Sequence, residues 1–181
     1  MPSLKTSDSL LAVIDVQGKL ARIVHESEAL HACLQRLIRC ARLLGLPVLW
    51  AEQNPSGLGP TTPEIAELLA PGKPVSKTCF SCAGSDAFFS ALSSLNRRQV
   101  LAAGMEAHVC VYQSVSDLLR KGYEVHVITD AVSSRSPLNR QIGLDRMKAE
   151  GAVLSSVEMA VFELLRDASH PEFREIVKIL K

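Results

Sequence analysis

A chain of 181 residues is of single-domain size and long enough to bury a substantial core. Its 47% hydrophobic and 22% charged residues are those of an ordinary globular protein, and a net charge of +1 without any basic stripe argues against nucleic acid as a partner. No apolar run approaches the roughly 18 residues of a membrane span, and "MPSLKTSDSLLAVIDVQ" turns acidic with no small-residue cleavage pattern after it, so a cytoplasmic protein without a membrane partner is expected.

The chain then alternates. "LLAVIDVQ" (10–17) is a continuous apolar run, as in a strand buried on both faces. "SEALHACLQRLIRCARLLG" places Leu30, Leu34, Leu37, Ile38, Ala41 and Leu44 at helical spacing and closes on a capping glycine, Gly45. "PVLWAE" (47–52) predicts a second strand; the Pro/Gly-rich loop "QNPSGLGPTTP" leads to a short helix near 63–70, and "PVSK" (74–77) is a brief third strand. A helix over 84–95 starts at Ser85 or Asp86, and "QVLAAG" (99–104) is the fourth strand. A helix over 110–121, a strand over 124–131, the helix "LNRQIGLDRMKAEG" and a strand over 152–156 follow. Helices over 157–168 and 171–180 end the chain, with Pro171 opening the second.

Such alternation implies right-handed crossovers and a parallel sheet covered on both faces: one domain over 1–181, α/β, a three-layer doubly wound sandwich. Sites in these sheets lie beyond the carboxyl ends of the strands. Strand one ends in Asp15 and Gln17, strand two in Glu52 and Gln53, strand three in Lys77 and strand five in Asp130, while strand four runs into the loop carrying Cys110. A thiol near a helix start is expected to have a lowered pKa, a carboxylate can take its proton, and a lysine can hold that carboxylate ionised. Asp130 and Ser133 are expected to anchor the loop after strand five; Gln17 and Gln53 either bind substrate or satisfy backbone groups, and His108 fits a loop, an interface or a pocket equally.

The five cysteines are an odd set, not a disulfide framework. Cys33 and Cys40 share a helix face as small core residues, while Cys79 and Cys82 form C-F-S-C, a redox pair as an alternative to a structural one.

These segments resemble the isochorismatase-like cysteine hydrolases, the superfamily that also holds nicotinamidases and N-carbamoylsarcosine amidases. "LLAVIDVQ" is similar to the family's first strand with its D-x-Q, "VSKTCFSC" to its K-x-x-F-S lysine segment, and "VLAAGMEAHVCV" with "DLLRKGYEVHVITDAVSSR" to its nucleophile region. The match spans nearly the whole chain in order. "AEQNPSGLGPT" and "DASHPEFREIVKILK" resemble a narrower single-domain branch.

The resemblance implies a six-stranded sheet of order 3-2-1-4-5-6, with Cys110 as nucleophile, Asp15 as general base and Lys77 as third member. Lys77 then has to reach across strand two, roughly 10 Å at normal strand spacing. It further implies a cis peptide at Met105–Glu106, with the Glu106 and Cys110 N–H groups as an oxyanion hole, and a pocket bordered by Gln17, Gln53 and Phe80. Nicotinamidases of the superfamily bind a metal through an aspartate and histidines after the second strand; "WAEQNPSGLGPT" has no histidine, so no metal and no cofactor are expected. A cysteine nucleophile points to an amide or carbamoyl substrate, a small molecule, and the family to a homo-oligomer. The alternatives are a catalytically idle metabolite- or partner-binding protein and a thiol redox protein using Cys79 and Cys82.

Overall fold

The computed structural model describes residues 3–181. β1 (Ser9–Ile14) leads through the short α1 (Leu20–Ile23) into α2 (Ser27–Leu43) and β2 (Val48–Gln53). The loop expected as irregular holds one helical turn, α3 (Pro55–Leu58), before α4 (Pro63–Leu69) and β3 (Val75–Lys77). A 3₁₀ turn (Cys82–Gly84), α5 (Asp86–Ser94) and β4 (Gln99–Met105) follow. A π-helical turn (Ala107–Val111) precedes α6 (Tyr112–Arg120), then β5 (Glu124–Ser133), α7 (Pro137–Ala149), β6 (Val153–Ser155), α8 (Val157–Leu165) and α9 (Phe173–Leu180) complete the chain. Pro171 lies just outside α9 instead of opening it.

The six strands form one parallel sheet in the order β3-β2-β1-β4-β5-β6. Every residue of β1 is buried, which is why its sequence is apolar without alternation. Leu11, Val13, Leu101, Ala103 and Ile128 face one core with Leu34, Leu37 and Ile38 of α2 and Val161, Leu164 and Ile176 of α8 and α9. Leu10, Ala12, Val100, Ala102 and Val127 face the other, with Phe88 and Leu92 of α5, Val115 and Leu118 of α6, and Leu144 and Met147 of α7. Alternation along each strand thus feeds two cores, and the three layers follow.

The helix punctuation is local chemistry. The Ser85 side chain accepts the Phe88 N–H at α5, and Ser156 accepts the Met159 N–H at α8. At the end of α2, Gly45 N–H bonds Arg42 O and Leu46 N–H bonds Ala41 O, the paired bonds of a Schellman cap.

The order puts β1 and β4 side by side at the point where the winding reverses. Their contact is tight: a Cβ on Gly104, whose φ is +123°, would lie 2.1 Å from the Ile14 carbonyl oxygen. Only glycine fits there, and it lets the segments after the two strands start close together.

Candidate active site

Four strand ends converge. Asp15 follows β1 with φ of 54°, a left-handed conformation that aspartate tolerates better than most residues. Gln53 and Lys77 are register partners at the ends of β2 and β3. Cys110 sits in the π turn after β4, whose wide winding is marked by the Val111 N–H bond to Glu106 O at 3.1 Å.

Lys77 does cross β2. Its Nζ lies 2.7 Å from Asp15 Oδ2 and donates also to Gln53 Oε1 at 3.0 Å, Phe80 O at 3.1 Å and Cys79 O at 3.3 Å. The Lys77 side chain is wholly shielded from solvent and that of Asp15 is 4% exposed. Gln53, midway along the route, shares the ammonium and donates its own amide to Thr78 O.

The pair is incompletely satisfied. Asp15 Oδ1 is buried without a hydrogen-bond partner among the described residues. Burial raises the Asp15 carboxyl above its ordinary value, with Lys77 and, more weakly, Cys110 opposing that shift. Cys110 is itself buried and coupled to Asp15. Its thiol is not lowered, as a helix-start position suggested, but raised, first by burial and then by the Asp15 charge, with Lys77 opposing. Desolvation and the local field from the carboxylate exceed any gain from free N–H groups, so the resting sulfur holds its proton.

The peptide Met105–Glu106 is cis, at the position that the resemblance implied. The Glu106 side chain turns elsewhere: Oε1 accepts from Arg135 N at 3.1 Å and Nε at 2.8 Å, and Oε2 from Arg135 Nη2 at 3.2 Å. This clasp ties the end of β4 to the loop after β5, and nothing in the reading of the sequence singled out Arg135. His108, in the π turn, meets the same loop, its Nδ1 3.0 Å from Ser134 Oγ. A Cβ on Gly143 would lie 2.6 Å from Ala107 O, so α7 closes tightly over the π turn.

The remaining expected residues separate. Gln17 is fully buried and its amide serves backbone groups, donating to Gln53 O and Gly59 O and accepting the Gln53 N–H at 2.6 Å. That is the second of its two readings. The Phe80 side chain is exposed, while its carbonyl is one of those that hold Lys77. A cleft of about 530 Å³ lined by Asn54, Pro55, Lys77, Thr78 and Cys79 opens beside the cluster. Asp130 Oδ1 accepts the Val157 N–H and so anchors the start of α8, while Ser133 Oγ donates to His25 O.

Glu52 accepts both the N–H and hydroxyl of Thr61 at 2.7 Å on one oxygen, which fixes the loop after β2. No group of three or more His, Cys, Asp or Glu is arranged to hold a metal among the described residues. Cys79 Sγ donates to Ser81 O, and burial pushes the Cys82 thiol up to about 12, the opposite of what a reactive redox thiol requires.

A family model described as "Isochorismatase domain" matches residues 9–159. Isochorismatase domain-containing protein 2A of Mus musculus is 42% identical over 175 residues, 96% of this chain and 82% of the relative. The structure of a MAR1 ribonuclease from Caenorhabditis elegans superposes with a TM-score of 0.92 at 37% identity, covering 99% of this chain and 92% of that one. YcaC from Pseudomonas aeruginosa, solved with hexane-2,5-diol and covalent acrylamide, has a TM-score of 0.92 at 25% identity and covers 98% and 91%.

Proposed function

Because the chain belongs to the isochorismatase-domain family, we propose that it is a metal-independent cysteine hydrolase of a small amide or carbamoyl substrate. One observation carries this reading: a buried Asp15–Lys77 pair with an unpartnered carboxylate oxygen, coupled to the buried Cys110 thiol. A base of that kind has no structural use for its free oxygen, and a thiol that keeps its proton at rest needs such a base.

In the proposed cycle Asp15 takes the thiol proton as Cys110 Sγ bonds to the substrate carbonyl carbon, whose π electrons move to oxygen. The Glu106 and Cys110 N–H groups are assigned to that oxyanion. The C–N bond then breaks, the leaving nitrogen collects the proton from Asp15, and a thioester remains. Asp15 next deprotonates a water that attacks the thioester; the C–S bond breaks, the acid leaves and the thiol is restored. Lys77 favours the ionised form of Asp15 before each proton abstraction, and Gln53 and the Cys79 and Phe80 carbonyls hold Lys77. The covalent acrylamide in the YcaC relative supports a reactive group in this fold. The exposed apolar side chains Leu138, Ile142, Met159 and Phe162 support a homo-oligomer.

A structural relative bears the name ribonuclease, but a net charge of +1 favours a small neutral substrate over a polyanion. A panel of small amides and carbamoyl compounds, with an RNA included, decides between these. The proposal expects release of ammonia or amine from a panel member and loss of that activity in Cys110→Ala. RNA cleavage that survives Cys110→Ala, with every amide inert, overturns it.

A further inference from the structure

The nucleophile turn and the lysine loop come from opposite sides of the β1–β4 junction, and one hydroxyl joins them. Ser114, in the first turn of α6, is fully buried. Its Oγ donates to the Cys110 carbonyl at 2.6 Å and accepts the Cys82 N–H at 2.8 Å. Cys82 opens the 3₁₀ turn directly after the stretch whose Cys79 and Phe80 carbonyls hold Lys77 Nζ. A connected path therefore runs from Cys110 through Ser114 and Cys82 to Lys77 and back to Asp15 Oδ2.

Helix formation does not account for this serine. A hydroxyl that bonds the carbonyl four residues back slightly disfavours a helix, and alanine would serve α6 better. Nor does the thiol of Cys82 need it as a partner, since buried cysteine behaves as a small apolar residue. What requires a polar group here is the Cys82 N–H, which sits at the start of its turn, where N–H groups lack partners within the turn.

We propose that Ser114 is a positioning residue that fixes the lysine loop against the nucleophile turn and so keeps Asp15 within proton-transfer reach of Cys110. The proposal rests on the roles given above to Asp15 and Cys110. Without the hydroxyl the two segments lose their only shared side-chain bridge among the described residues, and the carboxylate and thiol uncouple while the rest of the fold stays packed.

The test is the pH profile of Cys110 alkylation by iodoacetamide, read by peptide mass spectrometry on the full chain between about pH 5 and 9, a range in which the Asp15-dependent share of thiol reactivity registers. Asp15→Asn supplies the uncoupled reference. Ser114→Ala is expected to move from the wild-type profile to within about threefold of Asp15→Asn across the range, a group coupled through one contact being lost with it. Ser114→Thr restores the hydroxyl and the wild-type profile, and Cys82→Ala, which keeps the N–H, leaves it unchanged. A Ser114→Ala profile that keeps the Asp15-dependent inflection overturns the proposal, even where thermal unfolding shows lost stability. Should Ser114→Ala not fold, Ser114→Cys fills the space with a weaker hydrogen-bonding group, and an unaltered inflection there overturns it equally. A wild-type profile identical to Asp15→Asn removes the base itself and takes this proposal with it; wild-type and Asp15→Asn profiles that differ while Ser114→Ala follows wild type remove Ser114 alone.

Discussion

At Asp15, two opposed effects set the working pH. Burial raises the carboxyl and Lys77, 2.7 Å away, lowers it, and burial prevails. A protonated Asp15 cannot take the thiol proton, so turnover falls as the pH drops through the folded-state pKa of Asp15. Since that value is raised, the acid limb of kcat/KM lies at higher pH than the ordinary aspartate value of about 3.9. Asp15→Asn removes the limb and slows turnover by about 10² or more, while substrate binding persists. An unchanged rate, or an acid limb surviving the substitution, contradicts the role. Position put Asp15, Lys77 and Cys110 at or after strand ends, on the side where sites form, while their separate roles came only from the family resemblance. The direction of the thiol shift was not legible, because it depends on how deeply the sulfur is buried and which carboxylate faces it. Arg135 and Ser114 were equally hidden, since both act on partners from distant segments, Glu106 at a separation of 29 and Cys82 at 32.

Among the elements, the β1–β4 junction decides whether the site exists. Gly104→Ala would set a Cβ 2.1 Å from Ile14 O and 2.7 Å from Ile14 N, both backbone atoms that cannot move without separating the strands. A left-handed-side φ adds further strain for any L side chain. We expect a loss of roughly 3 kcal/mol or more in denaturant unfolding, at the upper end for single substitutions, together with lost activity. A variant of wild-type midpoint would mean that the junction is slack. Strand and helix positions came through from the apolar periodicity, the strand order from the family resemblance, and Ser85 and Gly45 as caps from residue type. The extra turn α3 and the π turn did not, the first because "NPSGLGP" carries loop composition, the second because π winding has no periodic signature over five residues. β5 runs to Ser133, two residues beyond the end expected at 131, since its last residues pair with Gly104 and Met105 after a register shift between the two strands, a pairing no local pattern encodes.

At the scale of the whole molecule, all of the proposed chemistry lies in side chains and backbone N–H groups of this chain. The loop after β2, where the resemblance to nicotinamidases would put metal ligands, is held instead by the Glu52 bond to Thr61 and by Gln17, after β1, donating to Gly59 O. Activity is therefore expected to survive exhaustive chelation, and stoichiometric zinc whose removal abolishes turnover would reverse that expectation.

The central claim is that Cys110 carries the acyl group. Rapid quenching of the protein with a hydrolysed amide, followed by peptide mass spectrometry, measures it directly. The account predicts the substrate's acyl mass on the peptide containing Cys110 and no adduct in Cys110→Ala. Turnover of that amide with no acyl mass on Cys110 at any quench time, and with Cys110→Ala still active, would contradict it.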